Sequence, residues 1–180
     1  MQNKTYILDT NVYGELLIEE KSEELIKEIE NDKSLYIYGV DIIEGELHDV
    51  PSDKKIKGDI FRSVVLSTYK SLIDEELILS PLAKYLANEY FKRYIGLRKS
   101  GRYYKIIKNK EIKYKEEDLK IDFEIIALAS IKNIDIVISA DKRTMLSKLA
   151  TETYNIINKI NGLKTPNLID YFKFKRRYIK

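Results

Sequence analysis

The sequence lacks several residue types on which common kinds of catalysis and cross-linking depend. It has no cysteine and a single histidine, His48, in 180 residues. The absence of cysteine excludes disulfides, thiolate metal sites and cysteine nucleophiles, and one histidine is too few for a histidine-rich zinc site. The seven glycines form no phosphate-binding loop of the kind that nucleotide-binding enzymes use. Any catalysis must therefore depend on carboxylates, hydroxyls, lysine or tyrosine.

Long apolar stretches are also missing. The run at residues 125–129 is typical of the longest, whereas a membrane-spanning helix needs about 20 apolar residues. The amino terminus enters a strand-like segment, Lys4–Leu8, without a signal-peptide pattern. We therefore expect a soluble, cytoplasmic protein that makes no membrane contact. Hydrophobic residues make up 44% of the sequence, which is enough for the core of one domain spanning residues 1–180.

The charged residues are unevenly distributed along the chain. The net charge is +3, yet residues 92–115 contain ten Lys or Arg residues and one acid, Glu111. We predict that this segment is irregular over most of its length, from Gly96 onwards. A basic segment in an otherwise acidic chain indicates an anionic partner such as nucleic acid, and a solvated loop is the alternative. The candidate contacts to that partner are Arg98, Lys99, Arg102 and Lys105.

Short apolar segments alternate with segments of helical periodicity. Strand-like runs occupy residues 5–8, 35–40, 77–79 and 134–139, and residues 154–157 are a candidate last strand. Capping signals and helical spacing predict helices at residues 23–30 (capped by Ser22), 41–48, 60–72, after Ser80-Pro81, 117–132 and 142–153, before an amphipathic end at 167–174. This alternation predicts an α/β fold in which helices cover both faces of a parallel sheet. The ligand of such a sheet binds beyond the carboxyl ends of its strands.

Acidic residues follow two of these predicted strands. Asp9 ends the first strand and is followed by Thr10 and Asn11, so a charge and two hydrogen-bonding side chains stand at one edge of the sheet. Ser139 and Asp141 stand at the exit of the strand that ends at residue 139. For either Asp alone, capping of the next helix is the simpler role.

Two further acidic motifs belong to predicted helices. Asp41 and Glu44 have the spacing of a capping box, which gives Glu44 a structural role and favours Glu46 as the chemically active acid. Asp122 shares a helical stripe with apolar residues of the segment 125–129, so it should face the buried side. A carboxylate in that position is costly unless it is paired or bound to metal.

In this order and context, the acids resemble the acidic signature of the PIN-domain nucleases, including VapC-like members and archaeal PIN-domain ribonucleases. The similarity rests on Asp-Thr-Asn after the first strand and Glu-Leu in the second helix. It also includes Asp followed by Ile-Ile-Ala-x-Ala in a later helix, and Ser-x-Asp after a later strand. It extends from about residue 4 to residue 174, although the region 58–115 is longer than in the toxin-like members. The archaeal members are the most similar, notably over residues 139–145.

The resemblance implies a three-layer α/β/α sandwich and a Mg²⁺- or Mn²⁺-dependent endoribonuclease that leaves a 5′-phosphate and a 3′-hydroxyl. Its substrate would be single-stranded RNA. The resemblance also implies a possible role as the toxin of a toxin–antitoxin pair, with an antitoxin partner, and homodimers are common in the family. Hard oxygen ligands suit these ions, and clustered carboxylates cannot all stay ionised without cations. The implied catalytic and metal-binding residues are Asp9, Glu46, Asp122 and Asp141, oriented by Thr10, Asn11 and Ser139.

Two other functions compete with this interpretation. An aspartyl-phosphate phosphatase also places an Asp after its first strand, but it requires a second Asp where this sequence has Asn11. A non-catalytic PIN-fold module that binds RNA or serves as a scaffold is the stronger alternative. Retention of all four acids disfavours it.

Overall fold

The structure, a computed structural model, describes residues 4–99 and 116–178. For residues 116–118 it describes the backbone alone. The chain divides into two compact units. The first contains residues 1–78, 134–140 and 167–180, and the second contains residues 79–133 and 141–166. The single domain expected over residues 1–180 stays a prediction.

A parallel five-stranded sheet forms the centre of the first unit, in the order β5-β2-β1-β6-β7. Its inner strands are buried on both faces, as parallel sheets usually are, so Ile7 and Leu8 of β1 and Val137 and Ile138 of β6 have no exposed surface. The strands are β1 (Lys4–Leu8), β2 (Leu35–Val40), β3 (Lys55–Ile56), β4 (Asp59–Ile60), β5 (Glu75–Leu77), β6 (Ile136–Ser139) and β7 (Asn167–Asp170), of which β3 and β4 form a separate hairpin. The predicted α/β class, with a parallel central sheet and flanking helices, is confirmed.

The helices of the first unit include one that the sequence pattern did not reveal. This helix, α1, begins directly after Asp9, which caps it. The cap of the next helix is Lys21 and not Ser22, which is already helical, and the cap of the third is Val40 and not Asp41. The helices are α1 (Thr10–Ile18), α2 (Ser22–Asn31), α3 (Asp41–His48), α4 (Phe61–Leu72) and α8 (Tyr171–Lys175).

The second unit contains α5 (Pro81–Lys99), α6 (Glu116–Ile131) and α7 (Lys148–Ile160). The predicted start of α5 is confirmed, because Ser80 Oγ accepts a hydrogen bond from Ala83 N at 3.2 Å. Tyr90 of α5 joins these helices, since its hydroxyl donates to Asn158 Oδ1 of α7 at 2.5 Å and its ring packs edge-on against Phe123 of α6. The unit is therefore held together by a buried aromatic cluster with a polar centre.

Several predicted boundaries are wrong. Residues 96–99 are helical rather than irregular, and residues 100–115, including Arg102 and Lys105, lie outside the described residues. Residues 142–147 form turns instead of the start of a helix, and residues 154–157 lie inside α7 instead of forming a strand. The last strand is β7, at the start of the predicted amphipathic end. Within the described ranges, no helix combines the length and the apolar character that crossing a membrane requires.

Candidate active site

Asp9 lies at the carboxyl end of β1, in the middle of the sheet. Its backbone N–H donates to Ile138 O of β6 at 2.8 Å, so the sheet itself fixes its position. The side chain is only 3% exposed. A buried carboxylate needs hydrogen-bond donors around it, and the neighbouring segments supply them.

Three donors hold the Asp9 carboxylate. The Thr10 backbone N–H donates to Oδ1 at 2.8 Å, which is the capping bond of α1. Ser139 Oγ donates to Oδ2 at 2.7 Å, and Asn11 Nδ2 donates to the same oxygen at 2.5 Å. Asn11 is itself oriented, because its Oδ1 accepts from Ala140 N at 2.7 Å. The start of α1 and the end of β6 are thus joined through this one carboxylate.

Glu46 is the second acid at this edge of the sheet. The Thr10 hydroxyl donates a hydrogen bond to Glu46 Oε2, and the Glu46 side chain is half-buried. Glu44, on the same helix, pairs instead with Lys70 at 3.3 Å and with His48 at 3.8 Å. The predicted capping box is therefore wrong, because α3 is capped by Val40 and Glu44 has an ion-pairing role. The preference for Glu46 over Glu44 as the chemically active acid stays a prediction.

The pKa of Asp9 is raised from 3.8 to about 6. Burial is the largest cause, and the negative charge of Glu46 adds to it, whereas the hydrogen bonds from Ser139, Thr10 and Asn11 lower the pKa. The largest influences on the pKa of Asp9 are therefore burial, one neighbouring acid and three hydrogen-bond donors. A cation between Asp9 and Glu46 would favour the ionised form of both.

Asp122 and Asp141 belong to the second unit. Asp141 Oδ1 accepts from Arg143 N at 2.6 Å and from Thr144 N at 2.9 Å, so it stabilises a turn, while Ser147 is the cap of α7. Asp122 is half-buried on α6. Almost every residue after it is buried, so this part of α6 is buried all round and not only along the apolar stripe that the sequence predicted. Among the side chains of residues 4–99 and 119–178, no group of three or more acidic or histidine residues is arranged to hold a metal ion. Metal binding by Asp122 and Asp141 stays a prediction.

Two buried tyrosines near this site, on α1 and α4, were not identified from the sequence. Tyr13 follows Asp9 by one helical turn, and its hydroxyl is buried without a hydrogen-bond partner in the described part of the chain. Burial, the Tyr69 hydroxyl and the charge of Asp9 together raise the pKa of Tyr13. The two rings pack edge-on with centroids 5.3 Å apart, and the Tyr69 hydroxyl lies 3.2 Å from Val40 O and 3.1 Å from a Glu76 carboxylate oxygen. The four-residue spacing from Asp9 was the available signal for Tyr13, and the sequence offers no comparable signal for Tyr69.

The fold and this edge of the sheet define an α/β protein with two neighbouring carboxylates beyond the ends of parallel strands. No family model matches the sequence, and no curated protein matches it. A similar solved structure is the crystal structure of VapBC2 from Rickettsia felis bound to a DNA fragment from their promoter. The similarity covers 92% of this chain and 98% of that chain, with 14% sequence identity and a TM-score of 0.48. At these values it assigns no family to the chain.

Proposed function

We propose that this protein is a metal-dependent endoribonuclease that hydrolyses phosphodiester bonds in single-stranded RNA. The observation that carries the proposal is that Thr10 joins the two acids at the carboxyl edge of the sheet, because its backbone N–H donates to Asp9 and its hydroxyl donates to Glu46. In open α/β sheets this edge is where ligands bind. Two acids held side by side, one of them buried with a raised pKa, favour a bound cation over two bare negative charges.

The donor set of this pair fits Mg²⁺ or Mn²⁺. Both acids offer carboxylate oxygens, which are the hard ligands that these ions prefer. Asp9 and Glu46 would hold the ion, and the sequence predicts Asp122 and Asp141 as further ligands. When bound, the ion would supply Lewis-acid activation of water and neutralisation of phosphate charge.

The neighbouring polar side chains orient the two acids. Ser139 and Asn11 both donate to Asp9 Oδ2, so the carboxylate cannot rotate without losing two hydrogen bonds. The Ala140 N–H occupies the Asn11 carbonyl oxygen, which turns the amide N–H₂ group of Asn11 towards Asp9. Thr10 orients Glu46 with its hydroxyl and Asp9 with its backbone N–H. Such supporting contacts keep ligands in position before metal or substrate arrives.

The basic residues of the segment 92–115 complete the proposal. Arg98 and Lys99 form the basic last turn of α5, and Arg102 and Lys105 follow in the sequence. Lys and Arg contact phosphates without reading bases, so these residues would hold the RNA backbone against an acidic site that repels it. A toxin paired with an antitoxin, acting in the cytoplasm as a homodimer, is the biological role that the resemblance favours.

The test is cleavage of a defined RNA pool in Mg²⁺, Mn²⁺ or EDTA, with both new ends mapped. The wild-type protein should cut only with metal and leave a 5′-phosphate and a 3′-hydroxyl. Asp9→Asn should abolish cleavage, while Glu44→Gln, a matched loss of one charge next to the site, should retain it. RNA binding without any metal-dependent cleavage would identify the protein as a non-catalytic RNA-binding module.

A further inference from the structure

The short helix α8 begins beside the strand that supports Asp9. Strand β7 pairs in parallel with β6, and Asp170 is in register with Ser139, whose hydroxyl donates to Asp9. Neighbouring strands are about 4.8 Å apart, so the backbone of Asp170 lies next to that of Ser139. The Asp170 carboxylate then caps α8 by accepting from Phe172 N at 2.8 Å. All of these residues belong to the first unit, so the start of α8 is fixed at the carboxyl edge of the sheet.

One face of α8 is buried and the other is exposed and basic. Tyr171 and Phe174 are at most 1% exposed and anchor the helix. Residues 171–178 contain four Lys or Arg residues and no acid. The exposed positions are Phe172, which is 47% exposed, and Lys173, Arg176 and Arg177.

Contacts to the rest of the first unit hold this segment in one arrangement. Lys175 Nζ donates to Glu19 Oε1 at 2.5 Å and lies 5.7 Å from the centre of the Phe172 ring. Arg177 donates to the Tyr6 hydroxyl at 3.1 Å. Among the described residues, Lys173 and Arg176 make no ion pair with an acid. The exposed face of α8 is therefore held in place before any ligand binds, and Lys173 and Arg176 on it can contact a ligand.

We propose that α8 and the turn after it bind the RNA strand a few nucleotides from the scissile phosphate. Lys173 and Arg176 contact phosphates, and Phe172 stacks on a base. Because three residues extend at most about 10 Å, the Lys173 backbone lies within about 15 Å of that of Ser139. An exposed aromatic ring between cations is the arrangement that binds single strands without sequence preference. The inference rests on the proposed function, since it names the substrate path to the same site.

The experiment measures binding of a labelled single-stranded RNA to the full chain carrying Asp9→Asn, so that cleavage does not interfere. Each phosphate contact contributes about 0.7 to the slope of log affinity against log salt. Lys173→Ala with Arg176→Ala should therefore flatten that slope by about 1.4 units. The matched control is Lys27→Ala with Lys33→Ala, which removes two exposed cations from the same unit and should leave the slope unchanged. Equal slopes in the two double variants would overturn the proposal.

Phe172→Ala separates stacking from charge. Loss of one stacked base should weaken binding to single-stranded RNA about fivefold or more, with the salt slope unchanged. It should have little effect on an RNA duplex, whose bases are not accessible. An equal loss on both forms, or no loss on either, would contradict the stacking role.

Cleavage assays distinguish failure of this inference from failure of the proposed function. With Asp9 intact, the Lys173/Arg176 double variant should raise KM for RNA much more than it lowers kcat. Normal KM in that variant, alongside metal-dependent cleavage by the wild type, would overturn the inference alone. Salt-dependent binding through α8 without any cleavage by the wild type would instead reject the proposed function.

Discussion

At the scale of single residues, Asp9 uses its two carboxylate oxygens for different purposes. Oδ1 caps α1 through the Thr10 N–H, while Oδ2 is held by Ser139 and Asn11. From the sequence, Asp9 could either cap a helix or take part in an active site. The structure makes the two roles compatible, because each carboxylate oxygen has its own hydrogen-bond partners.

Titration of Asp9 should be visible in the stability of the metal-free protein. Its pKa rises from 3.8 to about 6 on folding, so the folded state binds this proton more tightly than the unfolded state. The resulting stabilisation is present below pH 4 and is lost as the pH rises through 6. Two pKa units correspond to about 3 kcal/mol.

Denaturant unfolding of the wild type and Asp9→Asn in EDTA, from pH 4 to 7.5, measures this effect. The free energy of unfolding of the wild type should decrease relative to that of Asp9→Asn across this range. If the two stability curves run parallel, the raised pKa is wrong.

The two glutamates of α3 should separate in function. Glu46→Gln should abolish cleavage and weaken Mn²⁺ binding about tenfold or more, with little change in melting temperature. It should also lower the pKa of Asp9, because the Glu46 charge helps to raise it. Glu44→Gln should keep activity and lose at most about 1 kcal/mol, since its partner Lys70 is 66% exposed. Cleavage assays, calorimetric Mn²⁺ titration and melting curves check the pair, and the reverse pattern would mean that Glu44 is the active acid.

Removal of the hydroxyl should change the stability of the protein in opposite directions at Tyr13 and Tyr69. The Tyr13 hydroxyl is buried without a partner in the described residues, so Tyr13→Phe should stabilise the protein by about 1 kcal/mol. Tyr69→Phe removes a hydroxyl that is hydrogen-bonded at Val40 and Glu76 and should destabilise it by about 1–2 kcal/mol. Equilibrium unfolding compares them, and destabilisation by Tyr13→Phe would reveal a hydrogen bond to that hydroxyl.

At the scale of elements, strong local patterns were predictable from the sequence and weak ones were not. Strand β2 and helix α3 have the predicted bounds, because alternation and helical spacing are clear there. Helix α1 was missed because Val12, Tyr13, Leu16 and Leu17 are all buried, which blurs its amphipathic pattern, and Gly14 lies in its middle. The start of α7 was misplaced because Asp141 resembles a cap and actually stabilises a turn.

The candidate site was predictable in part, for a topological reason. The sequence places Asp9 and Asn11 after one predicted strand and Ser139 at the end of another. Parallel strands end at one edge of the sheet, and these three side chains are hydrogen-bonded to one another there. Glu46 was preferred through a capping-box argument that is wrong. Its side chain accepts a hydrogen bond from Thr10, and its choice as the active acid stays a prediction. The buried tyrosines and the pairing of β7 depend on tertiary packing, which single-sequence periodicity does not encode.

Gly39 in β2 should tolerate no side chain. A Cβ there would collide with the Tyr69 hydroxyl and lie 2.9 Å from Ile73 Cδ1. Gly39→Ala should therefore destabilise the protein by about 1–3 kcal/mol. Gly45→Ala is the matched control, because nothing lies within 4 Å of a Cβ in that helical position, and it should stabilise by about 0.5–1 kcal/mol. Thermal unfolding measures both, and equal effects would contradict the close packing of Tyr69 against β2.

At the scale of the whole molecule, the uneven charge should control RNA binding. Replacing Arg98, Lys99, Arg102 and Lys105 with Ala should flatten the salt slope of RNA binding by up to about 3 units. Affinity should fall alike for all sequences, because backbone contacts carry no sequence information. Metal affinity at the carboxylates should hardly change. Salt-dependent binding and metal titration measure the two effects, and an unchanged slope would make residues 92–115 a solvated segment.

The long separation between Asp9 and Ser139 in the sequence delays formation of the site while the chain is being synthesised. Their hydrogen bond joins residues 130 positions apart. At about 5–20 residues per second, Ser139 is added roughly 7–26 s after Asp9. Until then the growing chain has the first acid but neither β6 nor the hydroxyl that orients it. The hydrogen bonds that orient the Asp9 carboxylate can therefore all be present only after residue 139 has been synthesised.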